Sequence, residues 1–423
     1  MHCNADSLNA YHWRMTVSAS LSLNETGVLI VGGGLVGASL AIALDAAGIA
    51  ATLVETAAPR ASAQPSYDER NLALARATVN GLDAIGVWRH AAAQATPIRH
   101  IHVSRAGEFG SARIDAAKHG VDALGWTLPA RELGRALLRR LDECTRLTRL
   151  APATLAALES LAGGWRAQVN TPDGLRRLDT PLLVGADGTG SFVRTQLGIE
   201  AERHDYRQTL FVCTVTPERD HANRAWERFA DDGPIALLPL ADRRCGLVLT
   251  VAVDEADAVA ALDDAAFIEL AQRRIGWRLG RLSRPGKRHP YAIHRVAAAQ
   301  LIGPRAVLVG NAAQTVHPIG AQGFNLGLRD ALTLAELVAS AADPGSTDLL
   351  ERYAARRAPD REGTMAMSHG LVRLACLPQP LLAPLRSLAL LACDRLPPLQ
   401  RVLARRGMGF RGEPPHAALE RLP

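Results

Sequence analysis

The sequence predicts an α/β fold in which a parallel sheet is interrupted by a separate β-sheet and followed by a helical C-terminal region. Three observations carry this. "GVLIVGGGLVGASLAIALDAAGIAATLVET" (27–56) reads as strand, glycine turn, helix, strand. From Thr209 to about Val253, β-rich runs replace that pattern, separated by charged turns. "RAVLVG" (305–310) then resumes the parallel-strand style, and helices dominate from Gly323 onwards.

Taken in order, residues 28–31 are a short, branched, apolar run, as a strand buried on both faces should be. Ala38 to Ala47 is a helix of small residues that can lie close to a sheet. Gly48 ends it, and Ala51 to Glu55 is the next strand. In "RNLALARATVNGLDAIGVW", Leu72, Ala75, Val79, Leu82 and Ile85 fall at helical spacing. "PARELGRALLRRLDECTRL" is an amphipathic helix with Pro129 at its start and Leu133, Leu137 and Leu138 as its stripe. "TLFVCTVT", "GPIALLPL" and "CGLVLTVAV" are the strands of the inserted sheet. The resulting division is an N-terminal extension 1–26; a Rossmann-like domain from 27–90, 126–202 and 296–365; a second domain from 91–125 and 203–295; and a helical, basic region 366–423.

The glycine turn is Gly32-x-Gly34-x-x-Gly37. Gly32 permits the tight turn, Gly34 lets a pyrophosphate approach the backbone, and Gly37 allows close helix–strand packing, with the helix N-terminus facing the phosphates. Glu55 ends the next strand, where a carboxylate can accept from ribose hydroxyls. This predicts an adenine dinucleotide; Glu55 alone does not separate FAD from NAD. A second strand–turn–helix, "LLVGADGTGSFVR" (182–194), carries Asp187 and Gly188, and read alone it is equally an Asp-capped helix start. A third, "VGNAAQTVHPIGAQGFNLGLRD" (309–330), leads from a strand through Asn311 and a glycine loop to a helix start near Gly323 to Asn325. Its free N–H groups would attract an electron-rich or anionic group.

Composition narrows the function. Hydrophobic residues make up 48% of 423, and the six cysteines are scattered without a CxxC pair, so neither a metal site nor a redox dithiol is expected. They read as small apolar residues in a reducing compartment. No second GxGxxG stands between an expected strand and helix to hold a nicotinamide nucleotide, which disfavours a two-nucleotide dehydrogenase. The first 25 residues have no continuous apolar core, so no signal peptide is read there, and Met15 is an alternative start. The most apolar stretch, Leu371 to Cys393, contains two arginines and three prolines and is a poor membrane span. From Ala366 onwards eight arginines face three acids, giving +5 of the chain's formal +6. That argues against a nucleic-acid groove and for a local basic surface. Leu399, Val402 and Leu403 alternate with Arg401, Arg405 and Arg406 at helical spacing, with Gly407 as the expected cap. Such a helix suits an anionic membrane surface or packing on the body of the protein.

The three separated motifs resemble, in this order, the flavoprotein aromatic hydroxylases of the para-hydroxybenzoate hydroxylase class. The resemblance covers about 27–362 and is closest to the ubiquinone-biosynthesis hydroxylases. It is carried by "YDERNLALA" (67–75), "GPIALLPL" (233–240), "GNAAQTVHPIGAQGFNLGLRD" (310–330) and "RYAARRAPDRE" (352–362), and continues in "SHGLVRLA" (368–375). It implies a Rossmann-like FAD-binding domain of the glutathione reductase type, with the inserted sheet forming the substrate domain. Gly32, Gly34, Val36, Gly37 and Glu55 would hold the ADP half of FAD. Arg70 and Arg131 would lie along the cofactor, unless each is only a solvated charge. Asp187 and Gly188 would border FAD, Asn311 would meet the ribityl–pyrophosphate region, and Gln322, Gly323, Phe324 and Asn325 would cover the pyrimidine edge of the flavin.

The resemblance further implies a monooxygenase: NAD(P)H reduces FAD, O₂ adds at the flavin C4a, and one oxygen passes to the ring of a polyprenylated phenol. The expected setting is cytoplasmic, peripheral at the inner face of the membrane through the arginine-rich tail, in a biosynthetic complex or homo-oligomer. Other readings are a sister hydroxylase acting at another ring position, a soluble small-phenol hydroxylase, and a non-catalytic flavoprotein scaffold. His317 is the candidate catalytic base for the phenol proton; the alternative is that it orders the loop ahead of Pro318. Two departures stand out. Most of the class has Asp where this chain has Asn311, and the usual P-x-x-G-Q-G becomes Pro318-Ile319-Gly320-Ala321-Gln322-Gly323. A positive φ at Ala321 costs about 1 kcal/mol or more, so the loop is expected to turn at Gly320.

Overall fold

The computed structural model describes residues 27–419 except 59–63, 66, 69 and 377–379; the N-terminal extension therefore lies outside the described residues. Among these, a six-stranded sheet runs in the order 302–303, 306–308, 183–185, 28–31, 51–54, 147–150. Val28–Val31 pairs in parallel with Ala51–Val54 on one side and Leu183–Gly185 on the other, and Leu183–Gly185 pairs in parallel with Ala306–Leu308. All four residues of Val28–Val31 are buried, which is why the run carries no polar face. Helix Leu35–Ala46 covers one side of this sheet with small residues, and Gly48, at φ +80°, ends the turn beyond it.

The second sheet lies apart. Its order is 314–315, 289–298, 201–217, 245–252, 235–239, 224–229, 100–105, 111–115, with Leu282–Ser283 on the side of 201–217. One face packs Phe211, Ile235, Leu237, Leu247 and Leu249 against Phe267 and Ala271 of helix Asp264–Ile275. A separate meander, 154–161, 164–171 and 174–180, had no counterpart in the sequence reading. The helical spacing read from Leu72 is corrected. Asn71–Ala75 is a strand paired antiparallel with Gly125–Pro129, and the helix begins only at Arg76. Its backbone groups bond across to a partner distant in sequence, which local periodicity does not report.

Two helices carry the strongest electrostatic constraint. Gln322–Ala339 contributes Arg329 and Asp330, and Thr347–Cys376 contributes Arg357, Asp360 and Arg361. Arg329 Nε and Arg357 Nη2 both reach Asp360 Oδ2 at 2.7 Å, and Arg357 Nε reaches Asp330 Oδ1 at 2.7 Å. All four of these side chains are buried. The other Asp330 oxygen accepts from the Gly310 N–H (3.2 Å) and Gln314 Nε2 (2.7 Å), and Arg361 donates to Gln314 Oε1 (3.0 Å). The ion pairs thereby fix the backbone at the end of strand 306–308. Burial works to raise the Asp360 pKa, but Arg329 and Arg357 outweigh it and pull the carboxyl below its usual range.

Asp360→Ala leaves two buried guanidinium groups short of a counter-charge, and chemical denaturation should show a loss of about 3–5 kcal/mol. Because the folded-state pKa of Asp360 is depressed, its contribution is present above the ordinary carboxylate range. It disappears as pH falls through the lowered value, so the gap between wild type and variant should narrow in acid.

Candidate active site

The glycine turn, the Asp187 turn and the Gly310 turn sit side by side at the C-terminal ends of three adjacent parallel strands. This is the edge where open α/β sheets bind ligands. Gly32 has φ +103°, and a Cβ there would collide with the Ala186 carbonyl; one on Gly37 would collide with the carbonyl of Gly32. Both glycines are therefore steric necessities. Glu55 Oε2 accepts from the Gly33 N–H at 2.5 Å, and its Oε1 accepts from Ala57 N–H at 2.7 Å. The carboxylate thus shapes the turn while standing at the strand end. Tyr67, which the sequence reading did not single out, is buried beside it and donates to the Gly33 carbonyl at 3.3 Å.

Val36 has a different role from its neighbours. Its side chain fills the space that a Cβ on Gly310 or Gly327 would need, so it seats the first helix against both the Gly310 turn and the later helix. Asp187 accepts from Ser191 Oγ (2.5 Å) and the Val193 N–H (3.0 Å). Its side chain is a cap on the short helix Phe192–Gln196, the alternative weighed from sequence. Gly188 is left-handed with open space over it. Buried Arg194 ties this turn to the third motif by donating to the Ala312 carbonyl at 2.8 Å. Asn311 is exposed beside Gly310, whose φ is +60°.

The loop before helix Gln322–Ala339 corrects one expectation: Gly320 (φ 66°) and Ala321 (φ 52°) are both left-handed. The strain at Ala321 is offset by Asn325. Its Nδ2 donates to the Ala321 and Ala73 carbonyls (2.7 and 2.9 Å), while its Oδ1 accepts from Ala75 N–H and Thr78 Oγ1 (2.9 and 2.7 Å). The Asn325 side chain is engaged within the protein, so what it offers a ligand is backbone. Gln322 Nε2 donates to the Gly320 carbonyl at 2.8 Å, Gly323 has open space above it, and Phe324 is partly buried against the core. The helix start has no side-chain cap, leaving its N–H groups for a ligand.

His317 is buried. Its Nδ1 accepts from the Ile319 N–H at 3.1 Å, which leaves Nε2 to donate to Gln208 Oε1 at 3.2 Å, and its carbonyl accepts from Ser368 Oγ at 3.0 Å. Burial pushes its pKa down to about 4, so the ring is neutral at pH 7. This geometry favours the loop-ordering role. Arg70 pairs with Asp68 at 2.8 Å and lies over the Tyr291 ring, 5.3 Å from its centroid. Arg131 pairs with Glu132 at 3.2 Å, and its N–H donates to the Asp68 carbonyl, so the two arginines flank one short segment. Both guanidinium groups are about two-fifths exposed.

These residues fit a flavin dinucleotide. Two helices, Leu35–Ala46 and Gln322–Ala339, begin at the site without side-chain caps, and Gly188, Gly320 and Gly323 leave room where a side chain would intrude. Each uncapped start carries roughly half a positive charge, which suits an anionic or electron-rich group.

Comparison with known proteins agrees. A family profile described as "FAD binding domain" matches residues 25–368. The ubiquinone hydroxylase UbiL of Rhodospirillum rubrum is 37% identical over 90% of this chain and 89% of its own. The chain belongs to the flavoprotein hydroxylases of ubiquinone biosynthesis. It is an FAD-dependent monooxygenase that uses NAD(P)H. The 3-demethoxyubiquinol 3-hydroxylase of Escherichia coli is 31% identical over 91% of this chain and 99% of its own. Among solved structures, p-nitrophenol 4-monooxygenase from Pseudomonas putida shares the fold, with a TM-score of 0.77 at 19% identity over 92% of this chain and 100% of that one. In this flavoprotein the residues that sequence reasoning missed are Tyr67, Arg329, Asp330, Arg357 and Asp360. For the four charged residues the signal was present in the helical runs "LGLRD" and "RRAPDRE".

The depressed pKa of His317 means that the unfolded chain binds its proton first. Stability should fall as pH drops from 6.5 towards about 4, by up to about 1.4 kcal/mol per pH unit for this group. His102 is lowered in the same way, by burial and by nearby arginines. Urea denaturation across this range should show a shallower slope for His317→Gln, with the share of His102 remaining. A fully flavinated His317→Ala enzyme that hydroxylates at the wild-type rate would exclude the ring as a base.

Proposed function

We propose that this flavoprotein hydroxylates the ring of a polyprenylated phenol on the route to ubiquinone, with 2-polyprenyl-6-methoxyphenol as the preferred substrate. The observation that supports an apolar aromatic substrate is the face of the second sheet turned towards the His317 loop. Leu210, Val212 and Ile293 cluster there with Val248 and Tyr291, and Phe229 and Val372 pack on Ile319 of the loop itself. Tyr206 joins the two clusters and stands edge-on to the His317 ring, 4.8 Å between centroids. An apolar ring held between this face and the loop lies against the start of helix Gln322–Ala339.

Bound FAD, reduced by NAD(P)H, supplies the activation of O₂ and the delivery of one oxygen atom. The chain's own part is to grip the cofactor, hold the ring in reach and keep water out. Gly32 to Gly37 take the ADP half and Asn311 to Asn325 the flavin half, with Arg70 and Arg131 along the cofactor. The similarity to a 3-demethoxyubiquinol 3-hydroxylase favours a second reading, the same chemistry at another ring position. Deleting the gene in a quinone-producing host separates the two. Accumulated 2-polyprenyl-6-methoxyphenol supports the first, and a later methoxylated precursor transfers the activity to the second.

A lipid substrate also gives a reason for the C-terminal surface. Helices Ala383–Arg395 and Pro397–Gly407 lean on the body through Arg113–Asp394 (2.8 Å), Arg386–Glu108 and the buried pair Ala404 and Met408. The helix runs through Gly407, and the left-handed turn falls at Gly409. These helices and the residues flanking them expose Leu381, Leu385, Leu388, Leu396, Leu399 and Val402 among arginines. No helix among the described residues is long and apolar enough to cross a membrane. The surface instead suits peripheral contact with anionic lipid. Replacing Leu385, Leu388 and Val402 by Ser should reduce co-sedimentation with anionic liposomes several-fold without changing flavin content.

A further inference from the structure

One partly buried acid faces the proposed ring site and has no role in the mechanism so far. Cross-strand register aligns Val212, Val248, Ala236, Glu227, Val103 and Ala112 in a single row across five adjoining strand pairs. Directly paired residues share a face, so Glu227 is the one charged group in a row of small and branched apolar side chains. The opposite face is the core built on Phe211, Leu237 and Leu247, to which the neighbouring Trp226 belongs. Glu227 therefore points the other way, as does Phe229 two residues on, which packs on Ile319. Ile319 precedes Gly320 in that loop, and the Gly320 N–H acts on the Glu227 carboxyl by lowering its pKa. Glu227 is partly buried on this face, as are Ala236, Val248 and Val103 in the same row.

A carboxylate in such a setting calls for a partner. Among the described residues Glu227 has no ion-pair partner. The titratable groups around this face are otherwise committed. Arg105 pairs with Glu108 and Asp231, His317 is held by Ile319 and Gln208, and Tyr206 hydroxyl meets His369 at 3.2 Å. Burial drives the Glu227 pKa up to about 7, against the pull of the Gly320 N–H. That is the range in which a carboxyl group exchanges protons at working pH.

We propose that Glu227 is the catalytic residue that receives the ring hydroxyl of the substrate, accepting its hydrogen bond and taking its proton as oxygen enters the ring. The inference rests on the phenol reading given above. Loss of the proton lets the oxygen lone pair push electron density into the ring as the new C–O bond forms. One atom of O₂ enters the ring and the other leaves as water, the two electrons coming from NAD(P)H. The hydrogen displaced from the attacked carbon is released as the ring regains aromaticity, and Glu227 returns its proton to the restored hydroxyl. Glu227 shares its face with Phe229, which packs on Ile319, so the acid stands beside the loop that leads to the start of helix Gln322–Ala339.

The test uses the flavinated enzyme, NAD(P)H and 2-farnesyl-6-methoxyphenol as probe, comparing wild type with Glu227→Gln, Glu227→Asp and Glu227→Leu. Flavin content and thermal midpoint serve as folding controls. Wild-type kcat should rise as pH climbs through about 7 and then level. In Glu227→Gln the limb should vanish and kcat fall by about 100-fold or more, while the Kd of the probe, read from flavin absorbance, shifts only a few-fold because an amide oxygen still accepts. Glu227→Leu should weaken binding as well, and Glu227→Asp should restore part of the rate. A Glu227→Gln enzyme with wild-type kcat and the same pH limb overturns the assignment, as does a rate loss matched by lost flavin. A wild-type enzyme that does not turn the probe over at all overturns the phenol reading instead.

Discussion

The buried Arg329–Asp360–Arg357–Asp330 chain is the interaction on which the site depends. It joins two long helices by charges that have nowhere else to go, and its last carboxylate holds the Gly310 N–H and the Gln314 amide. Such a chain adds little net stability over a well-packed apolar substitute, since desolvating four charges offsets most of their attraction. What it adds is definition. An apolar contact tolerates sliding, whereas paired guanidinium and carboxylate groups admit one arrangement. The turn after strand 306–308 and the start of the next helix are thereby set in register with each other.

A second constraint is steric. Val36 sits where Gly310 and Gly327 lack side chains, so the first glycine turn and the distant loop are gauged against one another through a single residue. Asn325 completes the frame from the opposite side by binding strand 71–75 and Ala321 together. A loop with two successive left-handed residues, one of them alanine, is unfavourable in isolation. It persists here because its surroundings over-determine it.

How much of this was legible in the sequence follows from what each residue answers to. Gly32 and Gly37 announce themselves because their need is local, a turn and a close approach within a few residues. The inserted sheet was legible because β-rich runs separated by charged turns replace the earlier strand–helix pattern. Asn71–Ala75 was misread because "LALA" fits either period and the decision is made by a strand fifty residues away. Asn325 reads as a ligand-facing amide until its four partners are seen, three of them about 250 residues distant. Glu227 was invisible for a related reason. In "RAWERF" an acid between an aromatic and an arginine looks like a solvent-facing strand position, and only the loop packed on that face partly encloses it.

The convergence of three turns at the ends of three strands bears on how the protein lives as well as how it works. Those turns are separated by some 150 and 120 residues of chain, and a dinucleotide laid across them would act as a non-covalent staple between distant parts of the polypeptide. By mass action, a ligand held at a thousand times its dissociation constant adds about 4 kcal/mol to the folded state, comparable to a disulfide closing a long loop. Cofactor supply and protein lifetime are therefore thermodynamically linked: cells short of flavin would hold a form of this enzyme that opens more readily and meets proteases more often.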